Sequence, residues 1–241
     1  MKINYCLGGK GEETVLFLHG WGANLNSFFF YAEQLKSSYK TLLIDFCGFG
    51  ESEKLAYPLT VFDYAMEVFR LIKTLGVGEL TIVCHSFGAR VAVLLASKFD
   101  LKINKLIIIG GAGIKPRFNL VNKCKVLTYK LFKYLNQFKC FNLNLKRFGS
   151  FDYKNLNNIE KQTFVNVVNF DEKKYLKFVF AKTLLLWGKK DCSTPIYMAK
   201  TFNRLIKNSK LVVFNGLGHF CFLENKQAVL FEINCFLENA T

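Results

Sequence analysis

The chain holds only three histidines, and each stands in a short motif suited to serine-based hydrolysis. His19 opens His19-Gly20-Trp21-Gly22, His85 precedes the serine of Cys84-His85-Ser86-Phe87-Gly88, and His219 closes Gly216-Leu217-Gly218-His219. A serine hydroxyl becomes a nucleophile when an imidazole takes its proton and a carboxylate fixes the imidazole's tautomer and stabilises its charged form. His19 runs into a glycine turn. His85 is bonded to the serine's own backbone and, on an extended strand, faces the other way. His219 is left as the proton shuttle. Asp191, in Trp187-Gly188-Lys189-Lys190-Asp191, is the acid: it comes after an apolar run and can reach a crevice at the strand ends. Asp45 is the rival acid, but Gly48 and Gly50 behind it suit a turn.

The same chemistry needs donors for the developing oxyanion. Ser86 lies between the apolar run Leu80–Cys84 and a helical pattern from Phe87, so a tight turn would lift its hydroxyl out and aim the Phe87 N–H at a substrate carbonyl oxygen. Trp21 N–H is the second donor. His19, Gly20 and Gly22 hold its loop, with His19 as a structural histidine. Losing one such donor costs about 10²–10³ in turnover.

These residues must be delivered by regular elements. Buried strands read as apolar runs at Thr14–Leu18, Thr41–Asp45, Leu80–Cys84, Lys105–Ile109, Lys182–Trp187 and Leu211–Phe214. A short strand at Lys2–Cys6 and a turn at Gly8–Gly11 precede them. Helical spacing marks Ser27–Lys36, Thr60–Leu75, Phe87–Lys98, Ile196–Ile206 and Lys226–Glu238, with Glu224 as a cap for the last. Alternating strands and helices predict an α/β class with a doubly wound, mostly parallel sheet. The alternation breaks from Ala112 to about Leu176, where Phe118–Leu135 is the clearest helix. Residues 1–111 and 177–241 therefore read as a core, and 112–176 as an insertion.

Composition narrows the classes. The 51% hydrophobic content suffices for one large core, and the 26 phenylalanines are mostly background. No apolar run reaches the roughly 18 residues of a membrane span, and Met1–Gly11 lacks the apolar centre of a signal peptide. The eight cysteines form no Cys-x-x-Cys pair, and the histidines are too few for a zinc site, so no metal or organic cofactor is expected. Unpaired thiols suit a reducing, cytoplasmic location. Net charge is +15, and Leu101–Phe151 carries eleven Lys or Arg and no Asp or Glu. Such a field draws anions. With no nucleic-acid motif beside it, the block reads first as the solvated face of a lysine-rich protein; the alternatives are an acidic carrier protein or anionic substrate, then an anionic surface, with a small acyl ester as substrate in each case.

Taken together, five motifs resemble the α/β-hydrolase superfamily along nearly the whole chain: His19–Gly22 its oxyanion loop, Asp45–Ser52 its D-x-x-G-x-G-x-S loop, Cys84–Gly88 its nucleophile elbow, Trp187–Asp191 its acid loop and Gly218-His219 its base loop. The order Ser, Asp, His is the superfamily's own. The resemblance implies Ser86 as nucleophile, Asp191 as acid, His219 as base, and residues 112–176 as a helical cap over the site. Cys84 departs from the usual glycine. The short N-terminus and the Trp after His-Gly look most like the pimeloyl-carrier-protein methyl esterases, with the C–C bond hydrolases of aromatic degradation close in layout. Dehalogenases and epoxide hydrolases of the superfamily place aspartate at the elbow, so Ser86 argues against both. The expected activity is hydrolysis of a carboxylic ester or thioester through an acyl-enzyme. The alternatives are C–C hydrolysis or acyl transfer by the same residues, or a non-catalytic binding module. Fold alone does not choose among them.

Overall fold

The structure, a computed structural model, describes residues 1–115 and 155–238. Seven strands among them form one sheet: β1 (Tyr5–Gly9), β2 (Thr14–Leu18), β3 (Lys40–Ile44), β4 (Glu79–His85), β5 (Lys102–Ile109), β6 (Lys182–Gly188) and β7 (Ser209–Phe214). The order is β1-β3-β2-β4-β5-β6-β7, with β1 antiparallel to β3 and the other pairs parallel. The helices are α1 (Phe29–Leu35), α2 (Val61–Thr74), α3 (Phe87–Lys98), α4 (Asn158–Asn169), α5 (Lys173–Leu176), α6 (Ile196–Leu205), α7 (Cys221–Glu224) and α8 (Lys226–Glu238). This is the doubly wound α/β arrangement expected from the alternation of apolar runs and helical spacing.

Helices cover both faces of the sheet. Leu16, Ile44, Ile82, Ile108 and Leu185 point to the side packed by α2, α3 and α6. Their strand neighbours Val15, Leu43, Val83, Ile107 and Leu184 point to the side packed by α1 and α8. Because both faces are dry, the central strands carry unbroken apolar runs. The α2 start is fixed by a capping box between Thr60 and Asp63.

Strand register positions the loops that carry the site. Leu18 pairs with Cys84, His85 with Ile109, Ile109 with Leu186 and Gly188 with Phe214. The carboxyl ends of β2, β4, β5, β6 and β7 are therefore level, and strand order reverses between β2 and β4. Ligand crevices in open α/β sheets form at such a reversal.

Two sequence expectations need correction. The first strand runs Tyr5–Gly9, not Lys2–Cys6, and so includes the glycines read as a turn. It is an exposed edge strand that pairs with β3 through backbone, so it has no apolar signature. Gly9 adopts φ +79°, and a Cβ there would lie 2.1 Å from the Tyr39 carbonyl oxygen. The fourth buried strand, β5, starts at Lys102, earlier than Lys105, because its first stretch of pairing is half-exposed and polar. The expected helix Phe118–Leu135 lies outside the described residues.

Of residues 112–176, helices α4 and α5 are described. The segment rejoins the core at Glu172, whose N–H donates to the Gly113 carbonyl (3.0 Å). Gly113 has φ +135°, and a Cβ there would sit 2.0 Å from the Glu172 carboxyl carbon. That carboxyl is buried and its oxygens have no hydrogen-bond partner among the described residues. Burial pushes its pKa up to about 8, against the opposing pull of the buried Arg90. Among the described residues no helix is long and apolar enough to cross a membrane.

Candidate active site

Strand β4 ends in a sharp elbow at Ser86. Its φ of +49° is the one positive value at a non-glycine among the described residues, a conformation costing on the order of 1–3 kcal/mol that the surroundings must enforce. They do so through backbone bonds. Ser86 N–H donates to Ile109 O (3.1 Å), and Ser86 O accepts from Ala89 N (3.1 Å) and Ala112 N (3.0 Å). A Cβ at Gly88 would fall 2.3 Å from Leu18 O, so the start of α3 lies directly on the end of β2. Cys84, where the elbow motif usually has glycine, is buried, and its thiol reaches Ile107 O (3.4 Å) on β5. The Ser86 hydroxyl does not cap α3.

Asp191 and His219 meet because β6 and β7 are zipped beyond their ends. Lys189 N donates to Phe214 O and Lys190 N to Leu217 O (2.9 Å each). A Cβ at Gly188 would lie 2.1 Å from Gly218 O, so this approach requires glycine. Asp191 Oδ2 lies 2.8 Å from His219 Nδ1. Its Oδ1 accepts from Ser193 N and Thr194 N, 2.8 Å each, and the Thr194 hydroxyl reaches both Asp191 Oδ2 (2.8 Å) and Gly110 O (3.1 Å). Burial opposes the Asp191 charge, but the bonds from His219 and Thr194 outweigh it and hold the carboxyl below its ordinary range. With Nδ1 turned to the acid, Nε2 of His219 is the atom left to exchange protons.

One short segment draws these groups together. Gly110 would bring a Cβ within 3.2 Å of His219 Nδ1 and 3.4 Å of Asp191 Oδ2, and Ile109 beside it is the acceptor for Ser86 N. The structure thus places residues 86, 191 and 219 around the end of β5. Among the described residues no hydrogen bond joins the Ser86 hydroxyl to the imidazole; the imidazole's Nδ1 lies at Asp191 Oδ2 (2.8 Å) and, more distantly, at the Thr194 hydroxyl (3.4 Å).

The loop after β2 completes the crevice. Among the described residues neither the Trp21 N–H nor the Phe87 N–H donates to another protein group. The Trp21 ring packs edge-on against Phe49 (4.9 Å), Phe87 (5.6 Å) and Phe164 of α4 (5.2 Å). Gly20 is buried against His85, and Gly22 adopts φ +73°. Ala23 N closes the turn on Gly20 O. His19 is fully buried, with Nδ1 at Gly20 O (2.7 Å) and Nε2 accepting from Phe46 N (3.0 Å). Burial lowers its pKa to about 4, so it is neutral. Asp45 is occupied too: it accepts from Leu25 N, Asn4 Nδ2 and Glu51 N, and so ties loops together.

Three further residues touch the site in ways the sequence pattern does not mark. Thr194 bonds the acid, in the Asx-turn spacing that a loop aspartate favours. Glu224, expected to cap the last helix, does not; its Oε2 accepts from Gly218 N (2.8 Å) and braces the His219 loop, while Asn225 caps α8 through Ala228 N. The helix start had room for either side chain, and only the folded base loop decides between them. His85 reaches the His219 carbonyl with Nε2 (3.1 Å).

A family model described as the alpha/beta hydrolase fold matches residues 13–138, and one described as TAP-like protein matches residues 166–241. The chain is 26% identical over 255 residues to a 2-hydroxy-6-oxononadienedioate/2-hydroxy-6-oxononatrienedioate hydrolase 2 of Pseudomonas putida, covering 94% of this chain and 88% of that one. It is 22% identical over 257 residues to the corresponding hydrolase of Escherichia coli K12, covering 95% and 88%. Among solved structures it resembles an esterase from Exiguobacterium antarcticum, with a TM-score of 0.78, 22% identity, and coverage of 98% and 96%.

Proposed function

The chain belongs to the alpha/beta hydrolase fold family, and on that basis we propose that it is a serine hydrolase of carboxylic esters or thioesters working through Ser86, His219 and Asp191. The observation that carries this reading is the 2.8 Å Asp191–His219 bond beside a serine held at φ +49°. The Ser86 oxygen adds to the acyl carbon while its proton passes to His219 Nε2. The tetrahedral oxyanion is received by the Trp21 and Phe87 N–H groups. Its collapse expels the alcohol or thiol, which takes the proton from His219. Water, deprotonated by the same nitrogen, then releases the acid and restores Ser86. Asp191 keeps the imidazole's Nδ1 protonated throughout. Residues 112–176 act as the cap, with α4 bringing Phe164 onto the wall formed by Trp21 and Phe49.

A second reading, C–C bond hydrolysis by the same residues, is favoured by the names of the relatives of Pseudomonas putida and Escherichia coli. Product analysis separates the two: an ester panel releases alcohol, whereas a vinylogous diketone releases an acid and a carbanion-derived ketone. We further propose that the acyl group arrives on an acidic carrier or anionic surface drawn by the net charge of +15, in the cytoplasm, where unpaired thiols such as Cys6 and Cys192 persist.

The test of the site is covalent. A fluorophosphonate probe should label the wild-type protein at Ser86, and Ser86→Ala should lose both labelling and ester hydrolysis. Undiminished labelling of Ser86→Ala would remove Ser86 as the nucleophile.

A further inference from the structure

His85 has the residue number of a bystander and the contacts of a joint. It is buried at the end of β4. Its Nε2 lies 3.1 Å from the backbone carbonyl of His219, 134 residues later. Its ring centre is 4.7 Å from that of His219, 5.4 Å from Phe220 and 4.6 Å from Phe222. On the other side, a Cβ at Gly20 would come within 2.8 Å of His85 Nδ1. One imidazole therefore touches the loop of the proposed oxyanion donors, the loop of the base, and, through its peptide bond, the nucleophile.

Resting on the reading of Ser86 and His219 above, we propose that His85 is a positioning residue for the proton shuttle, its Nε2–H holding the His219 carbonyl and its ring seating the loop that carries the base. A carbonyl oxygen only accepts, so the bond requires the tautomer with the proton on Nε2. Burial, reinforced by the nearness of His219, pushes the His85 pKa down to about 3. The ring is thus neutral at working pH, and it lies beside the imidazolium formed at His219 without adding like charge. Without this anchor the His219 ring would be aligned by Asp191 and the Thr194 hydroxyl at Nδ1, and its loop braced by Glu224 on Gly218 N and Lys190 N on Leu217 O, none of which holds the His219 carbonyl itself. Misplacement of a reacting group by about 1 Å can cost on the order of 10²-fold in rate.

The test compares substitutions that separate ring from donor. His85→Phe keeps a ring and loses the N–H; His85→Gln loses the ring but can present an amide N–H near the Nε2 position. His85→Phe should lower kcat by about 10- to 100-fold with KM little changed, and should weaken the low-field proton resonance of the His219 Nδ1–H bonded to Asp191. His85→Gln should restore most of kcat and that resonance. If His85→Phe retains normal kcat and an unaltered resonance, or if Phe and Gln are equally impaired, the hydrogen bond has no positioning role. Should His85→Phe fail to fold, His85→Asn replaces it, since its shorter amide stops at the Nδ1 position; Asn impaired beside an active Gln supports the proposal, and equal activity overturns it. Ser86→Ala, run in parallel, keeps the two claims apart. Activity surviving in Ser86→Ala defeats the reading of the site, whereas an inert Ser86→Ala beside a fully active His85→Phe defeats only the assignment of His85.

Discussion

Asp191 is held charged in a place that disfavours charge, and the side chains that do this are open to test. Asp191→Asn should leave the fold intact and cut kcat by about 10⁴, because the amide presents the wrong partner to His219 Nδ1. His219→Ala should cut hydrolysis by several orders of magnitude with the fold intact by circular dichroism; near-normal turnover would show that the shuttle lies elsewhere. Thr194→Val removes one donor from the carboxylate at a cost of about 1–3 kcal/mol. The sign of its pH dependence comes from the lowered Asp191 pKa. That stabilisation is present above the unfolded value of 3.8 and disappears as pH falls through the folded value. Urea unfolding should therefore show a wide gap between wild type and Thr194→Val at pH 7 and a narrower one in acid. At this scale the chain is legible where a residue sits in its own local signal: Ser86 between an apolar run and a helix, Asp191 past a strand, His219 after glycine. His85 and Glu224 are not legible in these roles, because a contact across 134 residues, or one back to the Gly218 N–H of the preceding turn, leaves no mark in local spacing.

Among the elements, the five central parallel strands can be read because burial on both faces demands unbroken apolar runs, and level register then sets every functional loop at one edge. β1 cannot, since an exposed edge strand satisfies its pairing with backbone alone. The joint of the inserted segment is also invisible in the sequence, because it depends on Gly113 meeting Glu172. That pair makes a prediction. The Glu172 carboxyl titrates near 4.5 when unfolded and about 8 when folded, so between those values the folded protein binds more protons and loses stability as pH rises. The penalty starts near pH 4.5, grows through neutrality to the order of 3 kcal/mol at pH 7, and levels off above pH 8. Glu172→Gln cannot ionise, and its melting temperature should fall less steeply across pH 5–8 than that of the wild type. Parallel melting curves would mean that the buried carboxyl is already charged at neutral pH.

For the molecule as a whole, charge acts at longer range than any of these contacts. With 33 Lys and Arg against 18 Asp and Glu, the proposed anionic carrier would be attracted before it touched the crevice, and salt would screen that attraction over about 8–10 Å. kcat/KM on an ester borne by an acidic carrier protein should drop steeply between low and physiological ionic strength, while a short neutral ester changes little. Equal salt curves would leave the excess charge without a role in substrate capture. The seam between Trp21 and Phe164 has a different consequence. The protein has just two indoles; Trp187 is sealed in the core, with its indole N–H on Thr194 O, and Trp21 is half-buried where the loop after β2 meets α4. Acrylamide should therefore quench emission from one fluorophore against a constant background from the other. The molecule carries its own optical gauge of whether α4 shifts when the crevice is filled, readable in plain solution with no label attached.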